Sequence, residues 1–381
     1  MDHSPGGQAA LVASTRVARR SRRMGVAAAV ALAAAAVTYR AQLRLASEGG
    51  PADLAAPLRA AALFARGEDV YALFGPGRAL AAPLNYPATS LLPLVPLADL
   101  PLPLAAALFV GTGMGLAAFA STASAWWPLF ALLSWPALLA CRAGQWAPLL
   151  TAAALLPGAG WLLACKPNVG VALAVQRLDR RWWTWTVVGG VALLAATLLR
   201  RPDWPLMWWR ALSGAGDAAA GTARMRGIFL LPIANPLGPL LLLALARWRR
   251  PEARLLLALA CVPQVTMGYE VLPLLVALPR SRVQALGLAV GSWLFAFAYA
   301  QWALAPTVVA TLSRARWLLI FFFWLPGLAL VLGRPNVGAV PAWVERALVR
   351  WRVPARLRGR PADGPGALLD SDPLSSAPHA P

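Results

Sequence analysis

Position 166 holds the chain's one lysine; the other 34 of its 35 basic residues are arginine. Lys166 stands in Cys165-Lys166-Pro167-Asn168, inside an apolar stretch and about ten residues before Arg177. At a helical rise of about 1.5 Å per residue, that spacing puts its ammonium roughly mid-membrane. An ionisable group at such a depth costs on the order of 3 kcal/mol and marks a functional site by default. The plainer alternative is snorkelling, which asks the side chain to reach a distant interface. Pro167 breaks a helix here and frees backbone groups to line a polar cavity. A cation beside such a cavity suits an anionic ligand such as a lipid phosphate.

The other candidate groups are scattered along the chain. Asp53 precedes Leu54-Ala55-Ala56-Pro57 and an apolar-periodic stretch to Arg66. Aspartate before a helix with proline in its first turn is an ordinary N-cap, and spacing alone favours that role. The chemical alternative is a general base that takes a proton from a sugar hydroxyl. Gly67-Glu68-Asp69-Val70-Tyr71 and Asn85-Tyr86-Pro87 read as turns. In Arg142-Ala143-Gly144-Gln145-Trp146 the Arg and Trp are normal interface anchors, whereas Gln145 at the head of a span is not explained by anchoring. Glu270, in Met267-Gly268-Tyr269-Glu270, is a solvated turn residue, a partner for Lys166 or a ligand for a substrate hydroxyl, and the sequence does not choose. Arg224 and Arg226 add positive charge suited to an anionic headgroup, as simple contact with lipid phosphate also would. The two histidines, His3 and His379, lie in the tails, which excludes histidine catalysis and a His-rich metal site. Cys141, Cys165 and Cys261 have no paired spacing for disulfides or a metal cluster. Nothing in these patterns calls for a metal or another cofactor.

Membrane helices are the elements that must position these residues. The chain is 59% hydrophobic and 13% charged, with a mean hydropathy of +0.60, against roughly 25% charged in a soluble domain. That composition excludes an ordinary soluble fold and, despite a net charge of +20, a nucleic-acid-binding module. The expected fold is an all-α polytopic membrane protein of about ten transmembrane or partial-membrane helices. Candidate spans cover residues 24–39, 88–120, 126–141, 146–176, 183–199, 227–246, 255–265, 271–278, 284–305 and 317–333. Several fall short of the roughly 20 residues that a full crossing needs. A basic N-terminus (1–23) precedes the multi-span region (24–333). Segments 40–86 and 200–226 are expected as the first and second external loops. A tail (334–381) carries an amphipathic piece at 341–351, suited to the inner leaflet, and then a Pro/Ala/Ser-rich end. The arginine-rich segments between spans predict a plasma-membrane protein with both termini cytoplasmic.

Taken in order, Asp53, Gly67-Glu68-Asp69-Val70-Tyr71, Asn85-Tyr86-Pro87, Gly144-Gln145, Lys166-Pro167 and Arg180-Arg181-Trp182 resemble glycosyltransferase family 87. These are membrane enzymes of the C-superfamily that use polyprenyl-phosphate mannose. The resemblance spans about Asp53 to Leu278 and rests on order and spacing. It departs at Ala88, where the pattern has a second proline, and in the short stretch from Gln145 to Lys166. It implies transfer of a hexose, mannose in the family, from a polyprenyl-phosphate donor to a lipid- or glycan-linked acceptor on the non-cytoplasmic face of a bacterial inner membrane. The family's essential acidic residue of the first external loop maps onto Asp53. Lys166, Gln145, Asp69, Tyr71, Tyr86, Arg224, Arg226 and Glu270 are the expected substrate contacts. A different class, a transporter or flippase of a lipid-linked anion with Lys166 as counter-charge, is the alternative.

Overall fold

The computed structural model describes residues 5–48, 53–73, 84–214, 229–265, 267–305, 307–352, 354 and 358–360. In chain order the helices are α1 (Pro5–Ser47), α2 (Ala55–Ala65), α3 (Ala88–Leu91), α4 (Leu102–Ser121), α5 (Trp135–Ala143), α6 (Ala147–Leu155), α7 (Pro167–Val175), α8 (Arg180–Arg200), α9 (Trp204–Gly214), α10 (Pro251–Ala260), α11 (Leu272–Ala277), α12 (Arg282–Ala298), α13 (Val308–Leu319), α14 (Leu325–Leu332) and α15 (Ala342–Arg350). Short 3-10 segments join several of them, and Phe229–Leu230 pairs antiparallel with Gln264–Val265.

Five stretches are long and apolar enough to cross a membrane: Val17–Ser47, Leu102–Ser121, Arg180–Arg200, Arg282–Ala303 and Ser313–Leu332. The remaining apolar segments, expected as further spans, are short helices and 3-10 turns. Each contains proline, at Pro128, Pro148, Pro157, Pro167, Pro239, Pro263 and Pro273 among others, and proline removes a backbone donor and clashes with the preceding turn. Segment 40–86, expected as a loop, is partly helical. Helix α1 continues to Ser47, and α2 buries Pro57, Leu58, Ala60, Ala61, Leu63 and Phe64.

Helices α1 and α4 pack through small residues. Gly111 and Gly115 lie one turn apart on α4 and face Ala31 and Ala35 of α1. A Cβ on Gly115 would sit 2.8 Å from the Cβ of Ala31, and one on Gly111 2.9 Å from the Ala31 carbonyl oxygen. Where lipid already solvates apolar side chains, such close backbone approach is what holds helices together. The pair is antiparallel, so the basic start of α1 meets the end of α4. There Arg23 donates to the Phe119 carbonyl at 2.6 Å, and Arg19 to the Ala123 and Ser124 carbonyls at 3.0 Å. Arginine at a helix C-terminus satisfies carbonyls that have no partner in the helix.

Two broken hairpins complete the frame. The chain turns at Lys166 from the 3-10 segment Gly160–Cys165 into α7. The two arms pack so closely that a Cβ on Gly170 would lie 2.1 Å from the Leu163 carbonyl oxygen. This resolves the short stretch from Gln145 to Lys166: α6 and the 3-10 arm are half-helices. Helices α10 and α11 form the second hairpin, with Gly268 at φ +84° in the connection. Carbonyls freed at the breaks are met by side chains: Thr89 Oγ1 donates to Ala164 O at 2.8 Å, Asn168 Nδ2 to Pro263 O at 3.2 Å, and Gln264 to Leu259 O.

The other ends of α10 and α11 carry an arginine network. Glu252, 2% exposed, accepts from Arg334 at 2.6 Å and Arg280 at 3.2 Å. Arg249, 1% exposed, holds Glu345 of α15 with both terminal nitrogens, at 2.5 and 2.8 Å. Replacing Gly115 with Leu is expected to destabilise the protein by about 1–3 kcal/mol through overpacking. Gly25→Leu, where a Cβ meets nothing within 4 Å, is expected to change little. Thermal midpoints of the two purified variants check this, and equal midpoints would rule out the close α1–α4 approach.

Candidate functional site

The two hairpin tips meet in an ion pair. Lys166 Nζ bonds Glu270 Oε1, with the lysine side chain 13% and the glutamate 3% exposed. The break at Pro167 projects Lys166 from the tip of one hairpin, and the left-handed Gly268 turns the other so that Tyr269 and Glu270 face it. Of the three roles open to Glu270 in the sequence, the structure shows the pairing with Lys166. The Lys166 ammonium also lies over the Tyr269 ring, 5.6 Å from its centroid, a favourable cation–π arrangement.

Asp53 is not a helix cap. The N-cap of α2 is Leu54, and no side chain caps that end. The Asp53 carboxylate instead accepts from Gln145 Nε2. Gln145 follows Gly144, whose φ of +71° ends α5 in a left-handed turn, and Gln145 N bonds back to Ala140 O at 2.9 Å. A side chain at 144 would strain this turn and crowd Leu54, whose Cβ would lie 3.1 Å away. The next residue, Trp146, is 1% exposed and packs edge-on against Phe109 at 4.8 Å, which fixes the turn from behind.

Asp53 is an exposed residue by surface area, yet the protein atoms packed around its carboxylate raise its pKa above the ordinary aspartate value. The Gln145 hydrogen bond and the positive charge of Lys166 pull the other way and are outweighed. The phenol of Tyr86 lies within electrostatic reach of Lys166, Asp53 and Glu270 together. These four groups therefore occupy one region. Beside them is a cavity of about 420 Å³ lined by Asn85, Tyr86, Pro87, Lys166, Pro167, Asn168, Trp208 and Tyr269. Its polar groups are mostly donors or amphoteric, and its aromatic walls suit a sugar ring or an isoprenoid stem.

Other expected contacts fall elsewhere. Asp69 serves its own turn: Oδ1 accepts from the backbone nitrogens of Tyr71 at 3.0 Å and Ala72 at 3.1 Å, and the residue does not line the cavity. Tyr71 is buried and donates its hydroxyl to the Tyr86 carbonyl at 3.1 Å, so it supports the cavity wall from outside. Arg224 and Arg226 lie outside the described residues. The sequence did not single out Trp208, whose indole donates to the Asn85 carbonyl at 3.2 Å, or Gln42, which donates to the Arg142 carbonyl at 2.7 Å. A glutamine one turn past the end of an apolar run is a signal that could have exposed Gln42; for Trp208, one of 18 tryptophans, there was none.

No protein-family profile matches the chain, and no curated protein or solved structure matches it.

The buried ion pair predicts a coupled response to mutation. Lys166→Met or Glu270→Leu alone leaves an unpaired buried charge and is expected to cost about 3–5 kcal/mol. The double variant is expected to cost far less than the two single losses together. Unfolding of the four proteins in one detergent measures the coupling, and additive losses would show that the two side chains do not depend on each other.

Proposed function

We propose that the protein is an integral-membrane hexosyltransferase of the family 87 kind. It moves a hexose, mannose by the resemblance, from a polyprenyl-phosphate donor to a lipid- or glycan-linked acceptor. In this reading the site faces the non-cytoplasmic side of a bacterial plasma membrane, with both termini cytoplasmic. One observation carries the proposal: Asp53, the residue that the family pattern selects, is free of the helix end and held by Gln145 within the field of Lys166.

The reaction follows from those positions. Asp53 takes the proton of an acceptor hydroxyl as its oxygen bonds the anomeric carbon of the donor sugar. The bond from that carbon to the phosphate oxygen breaks, and the polyprenyl phosphate leaves with the electron pair. Attack opposite the leaving group inverts the anomeric configuration. Lys166 faces the cavity with donors beyond the one that Glu270 engages, and these stabilise the charge gathering on the departing phosphate. Glu270 keeps the ammonium charged at depth and aims it. Tyr86, Tyr269 and Trp208 form the walls against which the donor's sugar packs.

A transporter or flippase of a lipid-linked anion remains the second reading. The observation in its favour is the pair of broken hairpins meeting at a buried charge, since discontinuous helices often surround transported ions. Purified protein that forms glycosylated product from donor and acceptor in detergent, where no second compartment exists, separates the two.

Asp53→Asn is expected to abolish transfer of radiolabelled hexose from a polyprenyl-phosphate donor in vesicles, with expression unchanged. Because burial disfavours the Asp53 carboxylate, ionising it costs stability as pH rises through its raised pKa, and the neutral Asn is expected to fold at least as well. The same shift sets the pH profile. Below that pKa the carboxyl is protonated and cannot accept, so the rate should climb with pH through a limb above about 3.9, the ordinary aspartate value. Full activity in Asp53→Asn would remove Asp53 as the base.

A further inference from the structure

A second cavity, of about 440 Å³, lies between α1, α4, α5, α12 and the 3-10 segment Trp127–Leu133. It shares no lining residue with the cavity beside Lys166. Small residues on α1 create it. Ala31 and Ala35 meet the glycines of α4, while Val30, Ala33 and Val37 leave a recess between this helix and Leu138, Cys141 and Trp293. Val37, Leu133 and Trp293 are exposed at its mouth. Two of its walls belong to stretches long and apolar enough to cross a membrane, Val17–Ser47 and Arg282–Ala303. A bilayer around these helices therefore meets the opening with its hydrocarbon.

The walls select the part of a ligand that enters. Two lining side chains carry an N–H or O–H, and both are already engaged: Ser134 Oγ donates to Ala131 O at 2.5 Å and Trp293 Nε1 to Leu133 O at 2.9 Å. A polar ligand would give up water there and gain no partner, whereas a hydrocarbon chain has nothing to lose.

One end of the recess selects the rest of the ligand. Arg44 follows Val37 by seven residues, two turns along the same face of α1 and about 10 Å by helical rise. Arg40 flanks that face one turn beyond Val37. On α5, Arg142 stands one turn beyond Leu138, and the bond from Gln42 to the Arg142 carbonyl at 2.7 Å holds the two helix ends together. The guanidiniums of Arg40, Arg44 and Arg142 form no ion pair or hydrogen bond with a described residue.

We infer that this cavity binds an anionic phospholipid of the leaflet on the Asp53 side, with one acyl chain in the recess and the phosphate on Arg40, Arg44 and Arg142. Guanidiniums match phosphate oxygens in geometry as well as in charge. A polyprenyl phosphate held at Lys166 occupies a different place, because that cavity has other walls. The phospholipid fills a gap that the protein's own side chains leave, and joins α1 to α5 and α12. Its binding is independent of the hexosyl transfer proposed above.

The test uses the full chain in phosphatidylcholine nanodiscs that contain a phosphatidylglycerol with a diazirine in its acyl chain. After photolysis, labelled residues are mapped by mass spectrometry. Labelling at Met114 and Leu138 is expected to exceed at least ten-fold that at Val187 and Val191, exposed residues of α8 outside the cavity lining. Unlabelled phosphatidylglycerol is expected to compete, and added phosphatidylcholine is not. Ala33→Phe, which fills the recess, is expected to lower the wall labelling at least ten-fold. Replacing Arg40, Arg44 and Arg142 together by Gln is expected to remove the preference for the anionic lipid. Thermal midpoints show whether the variants are folded, and the competition needs only the wild-type protein. Equal labelling of the walls and α8, equal competition by phosphatidylcholine, wild-type labelling of folded Ala33→Phe, or a preference kept by the folded triple variant would each overturn the inference. So would a polyprenyl phosphate that displaces the probe ten-fold better than phosphatidylglycerol, which would give the recess to an isoprenoid chain.

Discussion

The Lys166–Glu270 ion pair is the contact on which the rest of the polar end depends. Each partner sits at the tip of a hairpin broken by proline or glycine, where backbone groups lose their helical partners and charge is costly to bury. Apart, the tips would each carry an uncompensated charge in an apolar interior. Joined, they hold the two tips together, with the Lys166 ammonium over the Tyr269 ring. The pair is worth little as a stabiliser compared with an apolar core of the same volume. Its presence in a chain with so few charged groups therefore calls for a reason beyond packing. The reason offered by the geometry is a cation held ready at the edge of a cavity. Glu270 is nearly sealed while Lys166 is more open, so the charge that faces the cavity is the positive one.

Lys166, the amide of Asn168 and the phenols of Tyr86 and Tyr269 can all donate toward the cavity. The Asp53 carboxylate accepts from Gln145 Nε2, and the amide oxygens of Gln42 and Gln145 have no donor among the described residues. The proposed transfer asks for donors where negative charge collects and an acceptor where a proton is lost. Asp53 is desolvated enough to hold its proton more tightly than usual, yet lies within the field of the lysine. In the proposed reaction, a carboxylate tuned upward in this way takes a hydroxyl proton more readily than a fully solvated one.

Some of this was legible in the sequence and some was not, for identifiable physical reasons. A lone lysine in an apolar stretch is conspicuous in one dimension because its cost depends on depth, which the distance to Arg177 approximates. Helical character and the presence of helices long and apolar enough to cross a membrane followed from composition. The number of crossings did not, because proline spacing shows where a helix breaks without showing whether the pieces continue across or fold back, and Gly160 to Val175 folds back. Asp53 was misassigned on spacing, since the local pattern of an N-cap is complete there, and only the distant Gly144-Gln145 turn, brought in by α5, takes the carboxylate away. Asp69 failed in the opposite sense: its turn supplies its partners locally, as Asp-containing turns generally do. Gln42 lies one turn beyond the apparent end of the first apolar run and passed as a loop residue, because α1 runs further than its hydropathy.

The two ends of the bundle show why the arginine excess says little about function. Glu252 and Glu345 each meet arginine there, and the groups left over at that end are donors, at Arg247 Nε and Asn336 Nδ2. A basic composition produces this outcome wherever carboxylates run out before guanidiniums, and bulk water or lipid phosphate can answer the surplus. At the Asp53 end the unpartnered groups are mixed, the Gln42 and Gln145 amide oxygens together with the Trp146 indole and the Thr38 hydroxyl, although the chain has 35 basic residues and only 15 acidic ones. Unpaired acceptors are the rarer residue of such a composition, and no excess of basic side chains produces them by default. Gln42 and Gln145 could each have turned a nitrogen inward had Arg142 and Asp53 not engaged it first. Their orientation is a property of the fold, set by the same Gly144 turn that frees the carboxylate. One local backbone conformation thus presents the Arg142 carbonyl to Gln42 and Gln145 to the Asp53 carboxylate.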